Sequence, residues 1–195
     1  IVVHNSAKVK SIFVRSSGRQ VRHESFLNIV GSGAQVFSGG AVLMDSAREQ
    51  VSGDFASEVD FSSEMRHQVG GSTSSQLYKA IVGGRDRSSF TGSVAIEKGA
   101  DFAESEQLCR HLLLSQQAEA NARPILRIFA DEVKATHGAT VGDLRDEEIF
   151  YLRSRGLRLD QAHALLLAGF LQDVIEHVDH ARQRDPEIFT TPCQR

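Results

Sequence analysis

One histidine, His137, stands among small residues, with Gly138, Ala139, Thr140 and Gly142 after it. A neutral imidazole is the commonest biological metal ligand and suits iron. Its small neighbours leave the ring open to a partner surface. The competing reading is a histidine hydrogen-bonded at a β-to-helix corner, because a β-prone run precedes it and a helix start follows. Cys109, in EQLCRHLLLS, has Arg110 and His111 beside it. Such neighbours lower a thiol's pKa if they face it. In a strand, however, Cys109 and His111 share a face and Arg110 points away, so a buried small hydrophobe is the preferred reading. His177 and His180 lie i, i+3 on a helix with Glu176 and Asp179. That spacing suits a metal, but no third ligand is placed, and a solvated helix end suits the histidines equally. Cys193 is read as incidental.

Other chemistries lack their residues. The pairs Gly39-Gly40, Gly70-Gly71 and Gly83-Gly84 carry no phosphate-cradling pattern, and there is no nucleophile elbow. Asp101, Glu104 and Glu106, or Asp131 and Glu132, could serve a β-helix carbohydrate-active enzyme. With no Trp and only two Tyr, the aromatic platform for sugar is missing. A hexapeptide-repeat acyltransferase would need a six-residue apolar period, and none persists.

The elements that must position these residues fall into two parts. From residue 1 to 142 short β-prone runs, such as Ile12–Val14, Phe26–Val30, Ala41–Met44, Gln76–Val82, Thr91–Glu97 and Ile125–Ala130, alternate with Gly/Ser turns. This pattern fits a sandwich, a barrel or a β-helix. From 143 to 195 the chain turns helical. Asp146 is expected as an N-cap, with Glu147 and Glu148 in the first turn where the helix dipole favours them. Gly156 is placed to end that helix. Asp160 is expected to cap a second helix, with Ala162, Leu165, Leu166, Gly169, Phe170 and Val174 as its apolar stripe. The first helix carries Phe150, Tyr151, Arg153 and Arg155. Tyr and Arg together are typical of interface hot spots, so Glu147, Glu148, Phe150, Tyr151, Arg153, Arg155 and Phe170 are the candidate partner-binding residues.

Composition bounds the rest. The 195 residues are 41% hydrophobic and 24% charged, with net charge −3, ordinary for a globular chain. The charge gives no support for nucleic-acid binding. No run approaches the ~20 apolar residues of a membrane span. Two distant cysteines suggest a reducing compartment, read as the cytoplasm. The chain opens on Ile1 within a β-like run, and we expect it to be N-terminally truncated.

Several segments resemble a known family: SSQLYKAIVGG (74–84), SSFTGSVAIEKGA (88–100), LLLSQQAEANARPILRIFADEV (112–133), HGATVG (137–142) and FYLRSRG (150–156). They look like the SufB/SufD family of iron–sulfur cluster assembly scaffold subunits, on its SufD-like side. The resemblance is dense from about residue 74 to 178. It implies a right-handed parallel β-helix over 1–142, followed by the helical region 143–195. It also implies a non-enzymatic scaffold that pairs with a SufB-like subunit and docks a SufC-like ATPase through its helices. His137 matches a functional histidine facing the SufB-like partner, where iron or a nascent cluster would sit transiently. Many family members have a cysteine where this chain has Ala135. Its absence argues against a SufB-like identity and against a cluster held stably by this chain alone. Without its partner, the chain is expected to form a homodimer through strands near 125–142.

Overall fold

In the computed structural model, which describes residues 1–16, 20–45 and 57–184, the chain is a parallel β-helix with two C-terminal helices. Cys193 and the side chains of Asp179 and His180 lie outside the described residues. The strands are β1 (Val2–Val3), β2 (Lys8–Arg15), β3 (Gln20–Ile29), β4 (Gln35–Asp45), β5 (Glu58–His67), β6 (Thr73–Gly83), β7 (Arg87–Ile96), β8 (Glu104–Leu113), β9 (Glu119–Ile128) and β10 (Lys134–Asp143). Odd strands form one sheet in the order β1-β3-β5-β7-β9 and even strands the other, β10-β8-β6-β4-β2. All described pairings are parallel. The expected β-helix is thus present, each coil giving one strand to each sheet.

Register runs straight through the stack. Lys8, Gln35, Thr73, Glu104 and Lys134 stand one above another. Their unequal sequence spacing is why no fixed repeat is legible. Within each strand alternate residues point inward. On β5 these are Val59, Phe61, Ser63, Met65 and His67, all buried. The apolar inward positions form two clusters. One holds Val3, Leu27, Ile29, Val36, Met65, Val94 and Ile96. The other is largely aromatic: the Phe61 ring lies 4.9 Å from Tyr78, 5.1 Å from His23, and 5.9 Å from both Phe13 and Phe90. β5 is not among the runs read from the sequence: its inward residues include serine and histidine, so it does not read as an apolar run.

The first helix, α1 (Asp146–Ser154), starts one residue earlier than capping logic suggests. Arg145 is its N-cap, without a side-chain cap bond, and Asp146 is the first helical residue. Its charge still complements the helix dipole there. At the other end Gly156 takes φ +95. Its N–H reaches the Arg153 carbonyl at 3.0 Å and the Leu157 N–H reaches that of Leu152 at 3.3 Å, a Schellman closure that favours glycine at this point. The second helix, α2 (Leu159–Arg184), is not capped by Asp160. The Ala162 N–H donates to the Arg158 carbonyl, and Gln161 Oε1 reaches back to the Arg158 N–H at 3.0 Å. This is one half of a capping box, with Asp160 in the first turn.

α2 lies against the outer face of the even-numbered sheet. Its packed face is Ala162, Leu167 and Val174, with Leu166, Phe170 and Leu171 half-buried, whereas Leu165 is 53% exposed and Gly169 is exposed. The expected stripe was therefore rotated: the helix meets Ile81 and Leu112 through Leu167 and its half-buried neighbours. A lysine fixes it there. Lys79, on β6, has a side chain only 5% exposed; its Nζ donates to the Phe170 carbonyl at 2.8 Å and to Asp173 at 2.5 and 2.6 Å. Asp173→Ala should cost about 2–3 kcal/mol by equilibrium urea unfolding. It strands a buried ammonium, yet Asp173 is half-exposed, so the loss stays below the about 3–5 kcal/mol of a fully buried pair. Lys79→Met should cost less than Asp173→Ala, and the reverse order would show that packing and not charge holds the seam.

Candidate functional site at the open end of the β-helix

β10 is the edge of its sheet and β9 the edge of the other. No further coil among the described residues covers them. An edge strand offers unpaired N–H and C=O groups to a partner. His137 is not at a β-to-helix corner: it lies inside β10, paired in register with Gln107. Ser105, Gln107, Cys109 and His111 are the inward residues of β8, and their register partners on β10 are Ala135, His137, Ala139 and Val141. His137 therefore belongs to the inward row, yet it is exposed, as is Val141 at 49%. The last coil is an open mouth. An open groove of about 650 Å³ beside it is lined by Leu113, Ala118 and Val141 and by the charged Glu58, Arg87 and Glu119.

Beneath the mouth runs a polar column between the two apolar clusters. Ser38 and Ser63 hydroxyls meet at 3.3 Å, and Gln76 Nε2 donates to Ser63 Oγ at 3.3 Å and to the Ser93 carbonyl at 3.4 Å. Gln107 Nε2 in turn donates to Gln76 Oε1. Gly92 makes room for this: a Cβ there would sit 2.2 Å from Gln107 Nε2. A second polar group surrounds His67, whose ring nitrogens contact Ser72 Oγ at 2.7 Å and Ser74 Oγ at 2.8 Å; Ser74 continues to Ser105 at 2.9 Å. The row of Ser74 and Ser105 ends on Ala135.

Cys109 and His111 do share the inner face, with Sγ and Nδ1 3.6 Å apart, and Arg110 is exposed on the other side. Burial pushes the thiol up to about 12 and the imidazole down to about 4. This is an inert buried thiol, not an activated one. His177 stacks on Phe37 at 3.9 Å, part of the α2 seam. Among the described residues no three His, Cys, Asp or Glu side chains converge on one point. Of the carboxylates weighed for sugar chemistry, Glu104 is paired with Lys134 at 2.8 Å.

The partner-binding candidates divide. Glu147, Glu148, Arg153 and Arg155 are exposed, Phe150 is 74% and Tyr151 56% exposed, and the Arg155 guanidinium lies over the Tyr151 ring at 5.2 Å. Phe170 is half-buried on the seam, under the Lys79 ammonium. Leu159 and Leu165 extend the exposed apolar surface. Sequence reasoning missed Gln76, Gln107 and Lys79. The alternation Ser105, Gln107, Cys109, His111 was legible, but only the coil stack shows that it faces a lumen.

A family profile described as "SUF system FeS cluster assembly, SufBD core domain" matches residues 1–170. The chain belongs to that SufBD family. It is 34% identical over 151 residues to the iron–sulfur cluster assembly protein SufD of Escherichia coli (strain K12), covering 71% of this chain and 36% of that protein. Over 103 residues it is 41% identical to an iron–sulfur cluster assembly SufBD family protein of Synechocystis, covering 53% of this chain and 23% of the relative. Over 113 residues it is 38% identical to the protein ABCI7, chloroplastic, of Arabidopsis thaliana, covering 57% and 24%. The chain thus spans about a third or less of the length of these relatives. No helix among its described residues is long and apolar enough to cross a membrane.

Proposed function

We propose that this SufBD chain is a SufD-like, non-enzymatic scaffold subunit of iron–sulfur cluster assembly, working in the cytoplasm. Its open β-helix end pairs with a SufB-like subunit, and iron or a nascent cluster sits transiently at the junction, held jointly by His137 and the partner. The observation that carries this reading is the placement of His137: an inward-row histidine exposed at an uncovered coil end, on an edge strand. Ala135 brings no thiolate to the same row, so the soft donors must come from the partner. While Phe170 holds α2 on the sheet beneath the Lys79 ammonium, the exposed residues Glu147, Glu148, Phe150, Tyr151, Arg153 and Arg155 along α1 dock the SufC-like ATPase. ATP itself is handled there and not by this chain. In isolation the same open end self-associates as a two-fold homodimer, since an isologous pairing covers both edges at once.

The test is reconstitution of the three-subunit complex with His137→Ala. Stability should change by no more than about 0.5 kcal/mol, as for other surface substitutions. Cluster yield, followed by visible absorbance and bound iron, should fall severalfold or more. Wild-type yield from the variant would reduce His137 to a structural residue.

A further inference from the structure

The polar column inside the β-helix has a direction, and the direction is fixed by chemistry. Gln76 Nε2 faces the Ser93 carbonyl at 3.4 Å, and a carbonyl oxygen only accepts. The Gln76 amide is thereby oriented with Oε1 toward Gln107. That oxygen also only accepts, so Gln107 presents Nε2 to it. The far end of the Gln107 amide must then be Oε1. This atom is buried, Gln107 being 1% exposed, and it has no hydrogen-bond partner. A buried unpaired acceptor is costly and calls for a donor. The next inward residue beyond Gln107 along its row, at the same register, is His137.

We infer that Gln107 is the positioning residue of His137: its Oε1 accepts one ring N–H and so turns the lone pair of the other ring nitrogen out of the β-helix mouth. His137 is exposed, and exposed side chains change rotamer within nanoseconds, so the ring is free to sample the orientation that closes this bond. A ligating histidine ordinarily has its second nitrogen bonded to an acceptor, which fixes tautomer and ring direction. A neutral amide oxygen does this without adding charge beneath the junction. The inference rests on the reading of His137 as the metal contact, but its test does not require a metal.

The experiment is long-range proton–nitrogen NMR of the full, ¹⁵N-labelled chain at about pH 8, where an unperturbed imidazole is neutral. The His137 signals are assigned by their loss in His137→Ala. The wild-type chain should show one dominant His137 tautomer. Gln107→Met, close in size and unable to accept, should shift the tautomer ratio roughly fivefold or more, the scale of one net hydrogen bond. Gln107→Glu keeps an acceptor and should retain the bias. Equal ratios in the wild type and in Gln107→Met overturn the inference. Should the methionine variant fail to fold, the wild type decides alone: a ratio like that of free histidine overturns the inference, and a single dominant tautomer supports it. Unchanged cluster yield in His137→Ala would sink the metal reading while leaving the tautomer result standing, so the two failures are distinguishable.

Discussion

Between pH 6.5 and 4.5 the chain should lose several kcal/mol of stability through two buried histidines. His67 is fully buried and His111 is 2% exposed, and burial lowers both imidazoles to about 4. In the unfolded chain each returns to the ordinary value near 6.5. Between those values the unfolded state binds more protons than the folded state, so stability falls as pH falls. The contribution is complete above the unfolded value and is lost progressively toward about 4. Each histidine supplies a slope of at most about 1.4 kcal/mol per pH unit, or about 2 kcal/mol over the window, since the slope is only half developed at its upper end. Against the 5–15 kcal/mol typical of a domain, two such groups remove a large part of the margin. Urea midpoints at pH 7, 5.5 and 4.5 measure it. His67 has hydroxyls at both ring nitrogens, whereas His111 Nε2 has no partner. His111→Leu should therefore remove about half of the pH dependence at little cost at pH 7. A midpoint flat from pH 6.5 to 4.5 would mean that the interior around these rings is wet.

Phe61→Ala should cost about 3–5 kcal/mol, the range for a buried aromatic cut back to alanine. The ring is 3% exposed and touches aromatic rings from both sheets: Phe13 and Tyr78 from the even sheet, His23 and Phe90 from the odd. Its loss opens a cavity bounded by backbone that is hydrogen-bonded coil to coil, so the walls cannot collapse inward. Phe61→Leu should recover most of the loss. Phe150→Ala is the built-in comparison. That ring is 74% exposed, and its removal should stay within about 0.5 kcal/mol while weakening ATPase docking. Equal losses for Phe61→Ala and Phe150→Ala would mean that the sheets are not held together by this stack.

The residues themselves determined the order of a β region followed by a small helical one, the parallel β-helix through its family segments, and the closure at Gly156. Each depends on local chemistry: turn glycines, family segments in order, and a left-handed position that favours glycine. The sharing of one face by Cys109 and His111 was equally legible, because strand alternation is local. The tertiary structure alone decided the register of the open end. His137 sits in a run of Gly, Ala and Thr that lacks the apolar alternation of a buried strand, and only pairing with β8 sets it over Gln107 in the inward row. It decided the helix face as well. Leu165 and Gly169 fit a helical stripe by spacing, but Lys79, far away in sequence, pulls Phe170 and Asp173 onto the sheet and sets the rotation of α2. The role of Gln107 also depends on the tertiary structure. A glutamine in a strand says nothing by itself; a buried amide whose direction is fixed by the Ser93 carbonyl on another strand is a property of the stacked coils.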